Sequence, residues 1–259
     1  MVLKCGWNKN TPLVTQCCDK IAVRKYVKKC GFEDTLINLY GIFKNISELK
    51  NAWSELPNSF VLKINVGCGY NIIVKNKAEE NLGEICGKLS GWSKLLYGFE
   101  SAETQTVKIK PRIICEKYIG NEARLPFDYK FHFINGELVG ILLVSERETG
   151  KSKLTLVDGN FNRLNYLRNQ SEIESWYHFE CTNENYDYSW AKPANMTRLI
   201  EVAKKLACPF PFVRVDLYEY EEKPYFGELT FTPQGCLTWY YNDYCQKLWG
   251  DMLQIPNKM

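Results

Sequence analysis

The chain has 259 residues, 45% of them hydrophobic and 24% charged, a globular composition that excludes a disordered chain. Its 33 basic and 30 acidic side chains leave a formal charge of +3, too small a bias for a dedicated nucleic-acid binder. No run of 18 apolar residues occurs, which excludes a spanning helix, and Met1 to Asn8 lacks the apolar stretch of a secretory leader, so a cytoplasmic protein is expected. Eleven cysteines include no C-x-x-C, and His132 and His178 stand far apart, so no zinc cluster is visible. Reduced thiols used as small hydrophobes are the expectation.

In chain order, Asp19 to Cys30 reads as a helix with Val23, Tyr26, Val27 and Cys30 on one stripe. Ser47 to Leu56 reads as a second helix, ended by Pro57. Phe60 to Val66 and Asn71 to Val74 read as strands around Gly67-Cys68-Gly69. Asn81 to Leu96 reads as helical and Arg112 to Ile119 as an apolar strand. Asn135-Gly136 joins the strands Tyr129 to Ile134 and Leu138 to Val144. Asp158-Gly159 is expected to join Lys153–Val157 and Phe161–Leu164 in a second hairpin. The aromatic and polar stretch from Asn165 to Ala191 reads as a long loop or lid. Asn195 caps a helix with Met196, Leu199, Ile200, Ala203 and Leu206 on its stripe. The last hairpin pairs Phe212 to Tyr218 with Tyr225 to Phe231. Helices interleaved with hairpins give an α+β class with mainly antiparallel sheets.

Three places carry chemistry. Gly67 to Gly69 exposes backbone N–H groups that can cradle phosphate oxygens, although neither a P-loop nor G-x-G-x-x-G is present. Lys63, in an otherwise apolar strand just before it, either faces phosphate charge or lies on a solvated strand face. In the last hairpin, alternation puts Arg214 and Asp216 on one face. A turn centred near Glu222 sets Asp216 opposite Glu228, with Thr230 on the same side. Facing carboxylates are unfavourable unless the face is wet or a cation sits between them, and hard oxygens with few protein contacts suit Mg²⁺. Glu116 closes the apolar strand and leads into Lys117, Tyr118 and Ile119, and Asp128 and Lys130 share a face of the next strand.

This order of features resembles the ATP-grasp superfamily, in its TupA-like branch, named for teichuronopeptide synthesis. The blocks that carry the resemblance are Thr11–Lys20 with Val23-Arg24 and Tyr26-Val27, Phe60–Asn65 with Gly67, Gly69 and Asn71-Ile72, Lys110–Ile113 with Glu116-Lys117-Tyr118, Asp128–Phe131 with Phe133 and Asn135-Gly136, and Pro211–Tyr218 with Gly227–Pro233. They reach from about residue 11 to residue 235.

The resemblance implies an ATP-grasp fold of two α+β lobes holding ATP between them. It divides the chain into a helical substrate region (1–57), a small lobe (58–119) and a C-terminal lobe with the magnesium site (120–259). It implies that Lys63 and the Gly67–Gly69 loop hold phosphates, that Glu116 to Ile119 faces adenine, and that Asp128 holds the ribose. Lys130 takes a phosphate, Arg214 stabilises the phosphoryl intermediate, and Asp216, Glu228 and Thr230 hold magnesium. Where the superfamily carries Glu-x-Asn, this chain has Glu228-x-Thr230.

The implied activity is ligation of a carboxylate to an amine through an acyl phosphate, with ATP and Mg²⁺ as cofactors. One substrate is then a sugar or glycan, and polysaccharide-biosynthesis enzymes are the expected associates. Asp19, Lys20 and Arg24 either meet the acceptor or form a solvated helix face. A kinase-like reading fails because the lysine precedes the loop and no H-R-D or D-F-G occurs. The other reading is a non-catalytic carbohydrate-binding or scaffold module, for which Trp176-Tyr177-His178 and Tyr186–Trp190 offer stacking surfaces.

Overall fold

The structure, a computed structural model, describes residues 12–95, 97–100, 103–121, 125–174 and 178–254. Trp176 and Tyr177 of the aromatic stretch lie outside the described residues, as does Thr11. The described chain divides into two compact units, 12–119 and 120–254.

In the first unit α1 (Pro12–Cys18) and α2 (Val23–Lys29) precede β1 (Leu39–Phe43), α3 (Ile46–Ala52), β2 (Phe60–Ile64), β3 (Asn71–Val74), α4 (Leu82–Trp92), α5 (Tyr97–Glu100) and β4 (Ile113–Lys117). The strands form an antiparallel sheet in the order β1-β4-β2-β3. Alternation along β2 sends Phe60, Leu62 and Ile64, all at most 1% exposed, into a core with Leu49 of α3 and Leu89 of α4. Val61 and Lys63 therefore fall on the opposite face.

The expected helix over Asp19 to Cys30 is corrected: the chain is helical on either side of a turn at residues 19–22. Asp19 Oδ1 accepts from Ile21 N at 2.8 Å and from Asn65 Nδ2 at 2.9 Å, while Lys20 N donates to Asn65 O at 2.9 Å. A side chain that bonds the backbone two residues on competes with helix formation. The partner is 46 residues away, out of reach of any local pattern.

In the second unit β5 (Phe127–Ile134), β6 (Glu137–Ser145), β7 (Ser152–Val157), β8 (Phe179–Cys181), α6 (Met196–Ala207), β9 (Phe212–Tyr220), β10 (Lys223–Thr230) and α7 (Asp243–Met252) follow in that order. The six strands are ordered β10-β9-β5-β6-β7-β8, antiparallel except for β7 with β8. Asparagine side chains cap α3, α4, α6 and α7, at Asn45, Asn81, Asn195 and Asn242. On α6 the buried positions are Leu199, Val202, Ala203, Leu206 and Ala207, so Met196 and Ile200 lie at the margin of the expected stripe.

The expected hairpin at Asp158-Gly159 is also corrected. Asp158 Oδ1 accepts from Asn160 N and Asn162 N, and Phe161 has φ of 69°, so the returning chain makes only a single bridge, Val157 to Arg163. The edge of β7 is taken by β8, drawn from the stretch read as a loop. No helix among the described residues is long and apolar enough to cross a membrane. None of the described cysteines is in a disulfide, and burial pushes the Cys17, Cys115, Cys181 and Cys245 thiols up to about 12.

The sheet of the second unit is covered on both faces. Tyr129, Phe131, Phe133, Val213, Val215 and Leu217 are fully buried, and α6 packs on β9 and β5. On the other face, Tyr241 and Trp249 from the C-terminal segment meet Leu142 and Leu156. His132 is buried there, with Nε2 3.0 Å from the Tyr241 hydroxyl and its ring centroid 5.1 Å from that of Trp249. Burial, with Arg214 nearby, lowers its pKa from 6.5 to about 3. A folded pKa below the unfolded one means that the unfolded chain binds the extra proton as pH falls from about 6.5 towards 3. Urea unfolding should therefore show His132 costing about 1 kcal/mol at pH 5.5 relative to pH 7.5, and His132→Gln should remove that part of the slope.

Candidate active site

Each unit carries one cluster of charged side chains. In the first unit Glu116 of β4 stands on the sheet face that bears Lys63. The Lys63 Nζ donates to Glu116 Oε2 at 2.7 Å, and Arg24 Nη1 lies 3.4 Å from Oε1. Arg24 is fixed from behind by Ile37 O, at 2.8 Å. Burial lowers the Arg24 pKa, and Glu116 only partly restores it. Lys63 thus lies neither in the core nor on a freely solvated face.

The glycine loop follows β2 directly. Gly67 and Gly69 have φ of 94° and 79°, in the left-handed region that glycine adopts without strain. A Cβ at Gly67 would meet the Tyr70 ring at 2.7 Å. Lys20 Nζ donates to Gly67 O at 2.5 Å. Asn65 Oδ1 accepts from Arg112 N at 2.7 Å, tying the loop's entry to the start of β4. Asp19, Lys20 and Arg24 therefore point into the first unit and are not a solvated helix face. Lys117 is exposed at the end of β4, Tyr118 is half-buried and Ile119 is buried. The Lys117 N–H is already spent on Asn38 O, at 2.9 Å.

In the second unit Asp128 and Lys130 of β5, Arg214 and Asp216 of β9, and Glu228 and Thr230 of β10 come together on one sheet face. Asp216, 1% exposed, is gripped twice by Arg214, Nε to Oδ1 and Nη2 to Oδ2, each at 2.7 Å. Lys130 Nζ reaches Asp216 Oδ2 at 2.6 Å and Asp128 Oδ2 at 2.7 Å. Burial opposes the charges on all three central groups, but the mutual attraction wins. The Asp216 pKa is lowered, and those of Lys130 and Arg214 are raised.

Asp216 pairs with Glu228 across the strands, as the sequence reading expected, but by another route. The turn is the two residues Glu221 and Glu222, with φ of 52° and 61°, so it centres half a residue early. A register shift at Gly227 restores the pairing, and a Cβ there would meet Asp216 O at 3.0 Å.

Glu228 is about one-third exposed, and its Oε1 accepts from Arg214 Nη2 at 3.3 Å and from the Thr230 hydroxyl at 3.2 Å. Thr230 Oγ1 in turn accepts from Arg214 Nη2 at 3.1 Å, so the threonine is a strut between the two. The donor chemistry fits a hard divalent cation: two carboxylates on adjacent strands retain lone pairs, and Glu228 Oε2 takes no bond among the described residues. Among the described residues no group of three or more His, Cys, Asp or Glu side chains is gathered as a metal site. Magnesium, which takes one or two carboxylates and completes its shell with water and phosphate, does not require one.

Sequence reasoning did not single out Arg147 or Tyr218, and it read Tyr186 only as part of an aromatic stacking stretch. Tyr218 lies opposite Asp128 on β9, and the Arg147 guanidinium stands over its ring, 5.8 Å from the centroid. Arg147 sits in a polar turn after β6, and nothing in its neighbours singles it out.

The TupA-like ATPgrasp family profile matches residues 3–254. Comparison with curated protein sequences finds no match. Among solved structures, the D-alanine–D-alanine ligase from Helicobacter pylori superposes with a TM-score of 0.51 at 14% identity, over 92% of this chain and 61% of that one. The D-cycloserine synthetase DcsG gives 0.48 at 11%, over 95% and 73%. The L-amino acid ligase from Bacillus licheniformis gives 0.48 at 15%, over 85% and 44%. The chain thus spans about three fifths of the first of these, and at such identities the likeness is one of fold. With the family profile covering nearly its whole length, the chain belongs to the TupA-like ATPgrasp family and has the ATP-grasp fold.

Proposed function

We propose that the protein is an ATP-dependent ligase that joins a carboxylate to an amine. We further propose that it works in the cytoplasm on a cell-surface polysaccharide or its sugar precursor, adding an amino acid or other amine, in association with other enzymes of that synthesis. The observation that carries the reading is the cation-braced Asp216 beside Glu228, in a chain of this family that also bears Lys63 next to a glycine loop. The polysaccharide follows only the branch for which the family is named. In this reading residues 58–119 and 120–259 are the nucleotide-binding lobes, and 1–57 is the substrate-side region.

Bound Mg-ATP would supply the phosphoryl group that converts the carboxylate into an acyl phosphate. The chain's own residues position and neutralise, which is where phosphoryl transfer draws most of its catalysis. Lys63 and the N–H groups of Gly67 to Gly69 would bind phosphate oxygens. Glu116 is committed to Lys63 and Arg24, so recognition of adenine falls to the backbone of residues 117–119. Asp128 would accept from the ribose. Asp216 and Glu228 would hold magnesium, with Thr230 setting the rotamer of Glu228. Arg214, held flat against Asp216, would face the phosphoryl group, and Lys130 would take a phosphate oxygen. Asp19, Lys20 and Arg24 serve the acceptor only indirectly, through the loop and strand they brace. No step needs a nucleophilic side chain, and the buried thiols supply none.

Three measurements bear on this. Asp216→Ala leaves Arg214 and Lys130 buried without their shared carboxylate, and urea unfolding should show a loss of about 3–5 kcal/mol. Glu228→Gln, at a partly exposed position, should cost under about 1 kcal/mol. Mg-ATP should raise the melting temperature of the wild type, and the rise should vanish in Glu228→Ala and Lys63→Met. ADP release should then require both a carboxylate and an amine from a matrix of sugar acids and amines, with the amide seen by mass spectrometry. A wild type indifferent to Mg-ATP overturns the reading.

A further inference from the structure

We propose that Arg147 is a substrate-binding residue of the second unit, taking a phosphoryl or carboxylate oxyanion, with Glu146 and Tyr186 as the pair that positions it. This rests on reading the charged face of β5, β9 and β10 as the ligase site.

The other cations of that face already hold carboxylates. Lys130 bridges Asp128 and Asp216, and Arg214 holds Asp216 and Glu228. Arg147 differs. Its guanidinium lies over the Tyr218 ring, 5.8 Å from the centroid, and it makes no ion pair among the described residues. Tyr218 takes one of its hydrogen bonds, and a half-buried guanidinium with five donors and no carboxylate ion pair has donors left for an oxyanion. Stacking on a tyrosine fixes the plane of that fork.

A second observation points to a ligand from the opposite side. Asp128 is 4% exposed, and its Oδ1 is buried with no hydrogen-bond partner, while Oδ2 is held by Lys130. A buried carboxylate oxygen left unpaired is costly, and native proteins seldom keep one without a use. Asp128 lies directly opposite Tyr218 in the sheet and Arg147 stacks on the Tyr218 ring, so the Asp128 carboxylate and the Arg147 guanidinium attract each other without forming an ion pair. Asp128, Tyr218 and Asp216 together outweigh the burial that would lower the Arg147 pKa, so the charge is held. The ligand chemistry is therefore an oxyanion close to a hydrogen-bond donor, a hydroxyl or an ammonium.

The placement of Arg147 is built. Glu146 has φ of 53°, a left-handed position unusual for a non-glycine residue. Its carboxylate Oε1 accepts from the Tyr186 hydroxyl at 2.6 Å, and its carbonyl accepts from Thr149 Oγ1 at 2.8 Å. Tyr186 comes from the aromatic stretch, 40 residues further along the chain. The hook turns the chain sharply after β6 and sets the next residue, Arg147, over the sheet. Nothing in the proposed chemistry otherwise employs this part of the stretch.

The test follows the side-chain Nε–H resonance of Arg147 by NMR in protein with ¹⁵N-labelled arginine, assigned by its absence from Arg147→Lys. Mg-ATP, inorganic phosphate and succinate are titrated separately. A shift with Mg-ATP or phosphate assigns the oxyanion to the nucleotide, and a shift with succinate alone assigns it to a carboxylate substrate. In either case Arg147→Met should weaken binding of the active probe about tenfold or more, and Arg147→Lys should weaken it less. Tyr186→Phe, which keeps the ring, should weaken it by a smaller factor and move the Nε–H signal of the unliganded protein. A signal unmoved by all three probes, or affinity unchanged in Arg147→Met, overturns the proposal. Failure of Mg-ATP to bind the wild type at all overturns the ligase reading instead, while the phosphate and succinate titrations still decide Arg147.

Discussion

The second unit is organised around one carboxylate. Asp216 is 1% exposed in a strand between β5 and β10, where a lone charge would be strongly disfavoured. It stays charged because Arg214 meets both its oxygens and Lys130 meets one of them from the neighbouring strand. Each of those cations then fixes something else: Lys130 holds Asp128, and Arg214 holds Glu228 and Thr230. Buried ion networks of this kind are seldom more stable than well-packed apolar replacements. What this one supplies is position. Six side chains from three strands are held in one arrangement by hydrogen bonds with directional demands, on a sheet whose opposite face is ordinary apolar core.

How much of this could be read beforehand differs from residue to residue. Alternation alone put Arg214 with Asp216 and Glu228 with Thr230, because strand geometry allows no other choice. The pairing of Asp216 with Glu228 was reached through a turn centred at Glu222, whereas the chain turns at Glu221-Glu222 and recovers the register at Gly227. Two offsets cancel, and neither is legible in the sequence. Burial was also illegible. A strand with alternating charges reads equally as a wet face, and what dries this one is a C-terminal segment whose Tyr241 and Trp249 are remote in sequence. The break in the first helix depends on Asn65, and the turn at Glu146, next to Arg147, is tied to Tyr186, each a contact over 40 residues or more. Local pattern therefore found the residues that strands align and missed those that long-range hydrogen bonds deliver.

The two clusters share a design and differ in charge. In the first unit Glu116 is bracketed by Lys63 and Arg24, and in the second Asp216 is bracketed by Arg214 and Lys130. A carboxylate between two cations fixes both of them without cancelling both, so each bracket keeps a surplus positive charge. In the first unit Lys20 adds another cation at the carbonyl of Gly67, and that cluster favours anions as it stands. In the second unit Asp128 and Glu228 offset the surplus. Counting Arg147, that face has three cations against three carboxylates. A balanced face attracts a polyanion more strongly when a further cation arrives with it. On the proposed function, the first cluster would bind phosphate directly and the second would bind it together with a metal. A threonine at position 230 sharpens the distinction, because its hydroxyl is spent between Arg214 and Glu228. A cation held there by two carboxylates alone would depend on its anionic ligand to complete the shell.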